Sequence, residues 1–154
     1  MNAAKIKDTR VLDLDLRRDR GAVTLIPLDA DRFALRVPEL LRACGESTVD
    51  ELSLRRFHAL LERLGTWILD RADLRESFVT IREGGLRFVV VRKTVAYDAD
   101  FEDVLSNLDI ELAHDVDIGF QVDVMSLPAV SGASFEAFLH PHLTLRIVSR
   151  EQRG

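Results

Sequence analysis

Residues 140–145, His140-Pro141-His142-Leu143-Thr144-Leu145, hold the side-chain types that hydrolytic chemistry uses. Two imidazoles and a hydroxyl alternate along the chain. An imidazole takes up and returns protons near neutral pH and is also the commonest metal ligand. Two chemistries follow. His140, His142 and Thr144 would serve a small hydrolase, or His140 and His142 would hold a metal from one strand face with an Asp or Glu nearby. Pro141 works against regular strand pairing at that point. A loop before a last strand is the plainer expectation.

Other groupings are weaker. His114-Asp115-Val116-Asp117 brings nitrogen and oxygen donors together but lacks the glycine of a calcium loop, and it reads as a helix exit. Asp13 and Asp15 alternate with Leu12, Leu14 and Leu16, as on the solvated edge of a strand. Asp98, Asp100, Glu102 and Asp103 form the densest acidic cluster, most of it accounted for by helix capping. Arg82 and Arg87 flank a glycine turn. They are expected to face each other and to diverge into water or hold an anion between them.

His142 to Leu145 resembles the H-x-T-L motif of the two-histidine phosphoesterases. In that family the His and Thr side chains alternate on a strand and point at one phosphate, and two such motifs are needed. The resemblance covers four residues and implies a phosphate-directed role for His142 and Thr144. His58 is followed by Ala59-Leu60 and His114 by Asp115-Val116, so neither supplies the second motif. The family's activity is therefore not carried over. No phosphate-binding G-x-x-x-x-G-K-[ST], dinucleotide G-x-G-x-x-G or nucleophile G-x-S-x-G pattern occurs. Cys44, the only cysteine, has no His close in sequence to activate it and reads as a small buried side chain.

These residues need a scaffold, and the stretch 76–128 supplies most of it. Runs 78–83 and 86–93 are β-rich and joined by Gly84-Gly85. A two-residue primed turn at those glycines sets Ile81 opposite Phe88 and Val79 opposite Val90. Phe101, Val104, Leu105, Leu108 and Leu112 fall at helical spacing over 100–113, with Asp98 or Asp100 as cap. Residues 116–127 follow as a strand that joins by a crossover, parallel to the second hairpin strand. Upstream, 11–16 and 22–28 form a first hairpin. Pro38 rules out one continuous, regularly bonded helix over 29–45 and suits the start of a short one, 38–44. Thr48 and Glu51 match a capping box for a long helix to about Asp70. Leu54, Phe57, Leu61, Leu64 and Ile68 make its apolar stripe. Gly65 inside that helix costs about 1 kcal/mol against Ala. Drift or a close backbone contact accounts for it. Residues 131–139 read as a short helix and Leu143, Leu145 and Ile147 as a last strand. The expected fold is α+β (or α/β): one compact domain over 1–154, a mixed sheet with a glycine hairpin, and helices mainly on one face. Residues 1–9 and 149–154 are expected to be loose tails.

Hydrophobic residues are 47% and charged residues 31% of the 154, an ordinary globular balance. No apolar leader follows the first lysines, and no run approaches a membrane span. With a single cysteine, a cytoplasmic protein is expected. Charge is segregated: residues 94–145 hold ten Asp or Glu and no Lys or Arg. That predicts an acidic face, and it argues against nucleic acid at that face. No cofactor is expected. The function expected is an acidic protein-binding module, an adaptor, chaperone-like or regulatory domain, whose partner is another protein or a second copy. Its contacts would come from Asp98, Asp100, Glu102, Asp103, Asp109, Glu111, Arg82 and Arg87. The alternative is the hydrolase using His140, His142 and Thr144.

Overall fold

The computed structural model describes residues 11–129 and 136–149. Six strands form one mixed sheet: β1 (Val11–Asp19), β2 (Ala22–Pro27), β3 (Leu74–Arg82), β4 (Gly85–Arg92), β5 (Val122–Leu127) and β6 (Thr144–Ser149). Their order is β2-β1-β6-β3-β4-β5. The pairs β1–β6 and β4–β5 are parallel, and the others are antiparallel. Three helices, α1 (Ala30–Ala43), α2 (Glu51–Leu69) and α3 (Ala99–His114), share a core with one face of the sheet. The mixed α+β class and the placement of the helices are as the sequence implies.

Alternation along the strands builds that core. Leu12, Leu14 and Leu16, Val79 and Ile81, Leu86, Phe88 and Val90, and Leu145 and Ile147 all point to the helices. They meet Leu40 and Leu41 of α1, Phe57, Leu60, Leu61, Leu64 and Ile68 of α2, and Leu105, Leu108 and Leu112 of α3. Each fully buried Leu or Phe contributes about 1.5–3 kcal/mol of transfer free energy. The opposite face has a small cluster of its own, in which Phe138 and Leu139 pack on Phe78, Val89 and Val91. Phe138 ends a single 3₁₀ turn, Glu136–Phe138; of the short helix expected over 131–139, Leu139 lies in a bend and residues 131–135 lie outside the described residues.

Several local expectations are corrected. α1 runs through Pro38 without a break. The carbonyl that Pro38 cannot satisfy belongs to Ala34, an exposed residue, so the missing bond does not strand a polar group in the core. The cap of α2 is Asp50, not Thr48. Its carboxylate accepts from Ser53 N and the Ser53 hydroxyl accepts from Asp50 N, both at 2.9 Å. That bond holds the Asp50 carboxyl below the usual carboxylate range. The hairpin turn is Glu83-Gly84, with φ of 54° and 80°, the left-handed pair a type I′ turn requires. Val79 therefore faces Phe88 and Ile81 faces Leu86. A slip of two residues leaves every side chain on its face, so the apolar pattern could not choose between the registers. β5 begins only at Val122. Before it, Asp115 Oδ1 accepts from Asp117 N at 3.0 Å and Gly119 takes a φ of 72°. Ile118 and Phe120 plug the core from this turn. Ser149 is buried within β6 and does not belong to a tail.

The close-contact explanation of Gly65 holds. A Cβ there would lie 2.8 Å from Leu16 Cδ1 and 3.3 Å from Val23 Cγ1. α2 thus rides directly on the β1–β2 hairpin.

Candidate functional site

The loop ahead of β6 holds Thr144 on the sheet face away from the helices. Thr144 Oγ1 donates to the His140 carbonyl at 2.6 Å. Having spent its proton there, it accepts from Thr80 Oγ1, 2.9 Å away on β3. Thr80 Oγ1 in turn accepts from His140 N at 2.8 Å. The three bonds close a ring that fastens the loop to β3, and both hydroxyls are fully buried. His140 Nδ1 accepts from His142 N at 3.0 Å and Leu143 N at 3.1 Å. The neutral ring therefore carries its proton on Nε2.

The two imidazoles stand 6.2 Å apart, centroid to centroid. They open on different recesses. His140 lines one of about 280 Å³ with Val11, Glu136 and Leu139. His142 lines one of about 250 Å³ with Arg32, Leu35, Arg36 and Glu39. Among the described residues no three His, Cys, Asp or Glu side chains cluster as metal ligands would. The structure thus brings His140, His142 and Thr144 together in space but does not aim them at one point.

The Asp13 and Asp15 strand is not a solvated edge. β1 lies between β2 and β6, and Asp13 binds Arg146 of β6 through two 2.8 Å bonds. That pairing raises the Arg146 pKa above its ordinary value. Asp15 is buried and takes Arg17 Nε at 2.7 Å. Arg82 and Arg87 are diagonal rather than opposed: Arg82 faces Gly85 and Arg87 faces Thr80. Arg87 also lies 3.9 Å from Asp123 of β5.

α3 carries Asp100, Glu102, Asp103, Asp109 and Glu111 and no Lys or Arg. Asp98 caps it by accepting from Phe101 N at 3.1 Å. At about 100° per residue the helix has distinct flanks. On one, Glu111 and Asp115 meet Arg63 of α2 at 2.7 and 3.5 Å. On the other, Glu102 accepts from Ser126 of β5 at 2.7 Å, and Asp109, two turns on, shares that side. Asp100, Asp103 and Asp109 are exposed, and none makes a side-chain bond or ion pair among the described residues.

β5 is an edge strand, a feature the sequence reading missed because edge position follows from strand order. Leu86 N donates to Gln121 O at 3.2 Å, with Leu86 and Val122 in register. In a parallel ladder this turns the backbone of Asp123, Met125 and Leu127 toward β4. The N–H and C=O of Val122, Val124 and Ser126 then point outward. Among the described residues no strand pairs with that side.

No protein-family model matches this chain, and neither a curated protein nor a solved structure matches it. Among the described residues no helix is long and apolar enough to cross a membrane.

Proposed function

We propose that this chain is a protein-binding domain that works through the acidic face of α3, with a basic surface as its complement. The observation that carries this reading is a contrast. The hydroxyl that chemistry at the His-Thr segment would need is committed inside a buried ring. The exposed acids Asp100, Asp103 and Asp109 are left without partners among the described residues. Asp100 and Asp103 lie within one turn and repel each other, Asp109 stands apart on the β5 flank, and an approaching Lys or Arg is attracted to each. Nucleic acid is excluded from this face by its sign. The lone cysteine is in keeping with the cytoplasm.

The test is affinity capture from the native host with the wild type and with Asp100→Lys/Asp103→Lys/Asp109→Lys. A partner held by the wild type and lost by the variant is the expected result. Capture of nothing, or of the same proteins by both, defeats the reading. So does phosphodiester hydrolysis by the pure protein that disappears in a folded His142→Ala variant.

A further inference from the structure

We propose that the outer side of β5 accepts an extended, basic segment of another protein, which adds to the sheet as a seventh strand. The inference rests on the protein-binding reading above and specifies the partner's form. Val122, Val124 and Ser126 present three N–H and three C=O groups outward over about 13 Å. An added strand would take up to six hydrogen bonds from them. Natural edges are blunted by Lys, Pro or bulges. The other edge, β2, ends in Pro27, and Arg17, Arg18 and Arg20 crowd the tip of its hairpin with β1. β5 reads Val-Asp-Val-Met-Ser-Leu: it has neither Lys nor Pro, and its ladder to β4 is unbroken from Val122 to Leu127.

Charge decides the occupant. The flank of α3 above this edge carries Glu102, fixed beside Ser126, and Asp109 about 10 Å further along the axis. α3 runs antiparallel to β5, so Asp109 stands over the beginning of the strand. The opposite face offers Asp123, exposed but 3.9 Å from Arg87 of β4, so the acidic side of this edge is the α3 flank. Every second side chain of an added strand would meet that flank, and Lys or Arg suits it. A second copy of this chain would satisfy the backbone but bring Glu102 and Asp109 against their own images. The edge therefore favours a basic guest over itself.

The probe is the blocked peptide Arg-Val-Arg-Val-Arg-Val, titrated into the full chain and followed by calorimetry and amide hydrogen exchange. Binding should slow exchange at Val122, Val124 and Ser126, and the matching Glu-Val peptide should bind at least tenfold more weakly. Val124→Pro removes an outward N–H that no bond among the described residues uses, and it should weaken the Arg peptide at least tenfold. Glu102→Gln/Asp109→Asn, which leaves the backbone intact, should weaken binding and flatten its salt dependence. No binding by the wild type, protection elsewhere than β5, or equal binding by both variants overturns the proposal. A wild-type dimer that Val124→Pro abolishes also overturns it, by putting a second copy at the edge. A native partner still captured by Val124→Pro defeats the strand-addition proposal and leaves the protein-binding reading standing. Capture of none by the wild type defeats the latter.

Discussion

Thr144→Val is the sharpest test of what the His-Thr segment does. The change keeps the shape and removes one oxygen. It strips the donor from the His140 carbonyl and the acceptor from the Thr80 hydroxyl. Leaving a buried polar group unpaired costs about 1–3 kcal/mol. Thr80 is fully buried and bears that cost in full, whereas His140 is partly exposed and its carbonyl can find water. The expected loss is about 1–3 kcal/mol. Thr80→Val leaves the Thr144 bond to His140 intact but strips the acceptor from His140 N, so its cost should be of similar size. In the double variant the orphaned Thr80 hydroxyl is gone, so the loss should fall short of the sum by about 1 kcal/mol. Thr144→Ser keeps the oxygen and should keep the ring. Urea unfolding followed by circular dichroism measures all four variants. A Thr144→Val loss below about 0.5 kcal/mol, or strict additivity, would show that the ring does not hold the loop to β3.

Leu61 is 1% exposed at the centre of α2, and Leu61→Ala should lose about 2–5 kcal/mol in denaturant melts; a loss under half a kcal/mol would remove it from the core. Gly65→Ala would gain about 1 kcal/mol from helix propensity alone, but overpacking against Leu16 costs about 1–3 kcal/mol. A net destabilisation is expected, and a rise in stability would refute the close contact. Asp50 has a lowered pKa in the fold because its carboxylate takes the Ser53 N–H. Its stabilisation is present above the unfolded carboxylate pKa and fades as pH falls through the folded value. Asp50→Asn should therefore trail the wild type at pH 7 and close the gap near pH 3; a gap that widens on acidification contradicts the cap.

What could be read from the sequence followed one physical rule. Periodicity reports the face a residue occupies, and so the α2 and α3 stripes and the strand alternations were legible, except that Leu54, counted on the α2 stripe, is exposed in the first turn of the helix. Turn chemistry placed the hairpin turn to within one residue but left the register two residues out, and the crossover to β5 followed from strand-helix-strand order. Pro38 misled because its cost depends on whether water can reach the Ala34 carbonyl, which only packing decides. The Thr48–Glu51 spacing pointed two residues too early, because the reciprocal Asp50–Ser53 bonds that set the cap use a serine where the pattern looks for an acid. The Thr80–Thr144 and Asp13–Arg146 contacts join residues 64 and 133 apart. No local pattern encodes such distances. For the candidate site, the acidic charge of α3 was legible, but its division between an Arg63 flank and a β5 flank was not.

The position of β6 has a kinetic consequence. It is the last strand in the described chain, yet it lies third of six in the sheet, between β1 and β3. Until it emerges during synthesis, the sheet exists only as two halves, β2–β1 and β3–β4–β5. Each half then shows an open inner edge that the finished fold conceals. Closing the gap brings Asp13 to Arg146 across 133 residues, so the step carries a large loop-closure entropy and should be late. In refolding, pulse-labelled amides of the β3–β4 hairpin should gain protection before those that bond β1 to β6. The interval between the two is when the nascent chain is most prone to pair with its neighbours on the same message.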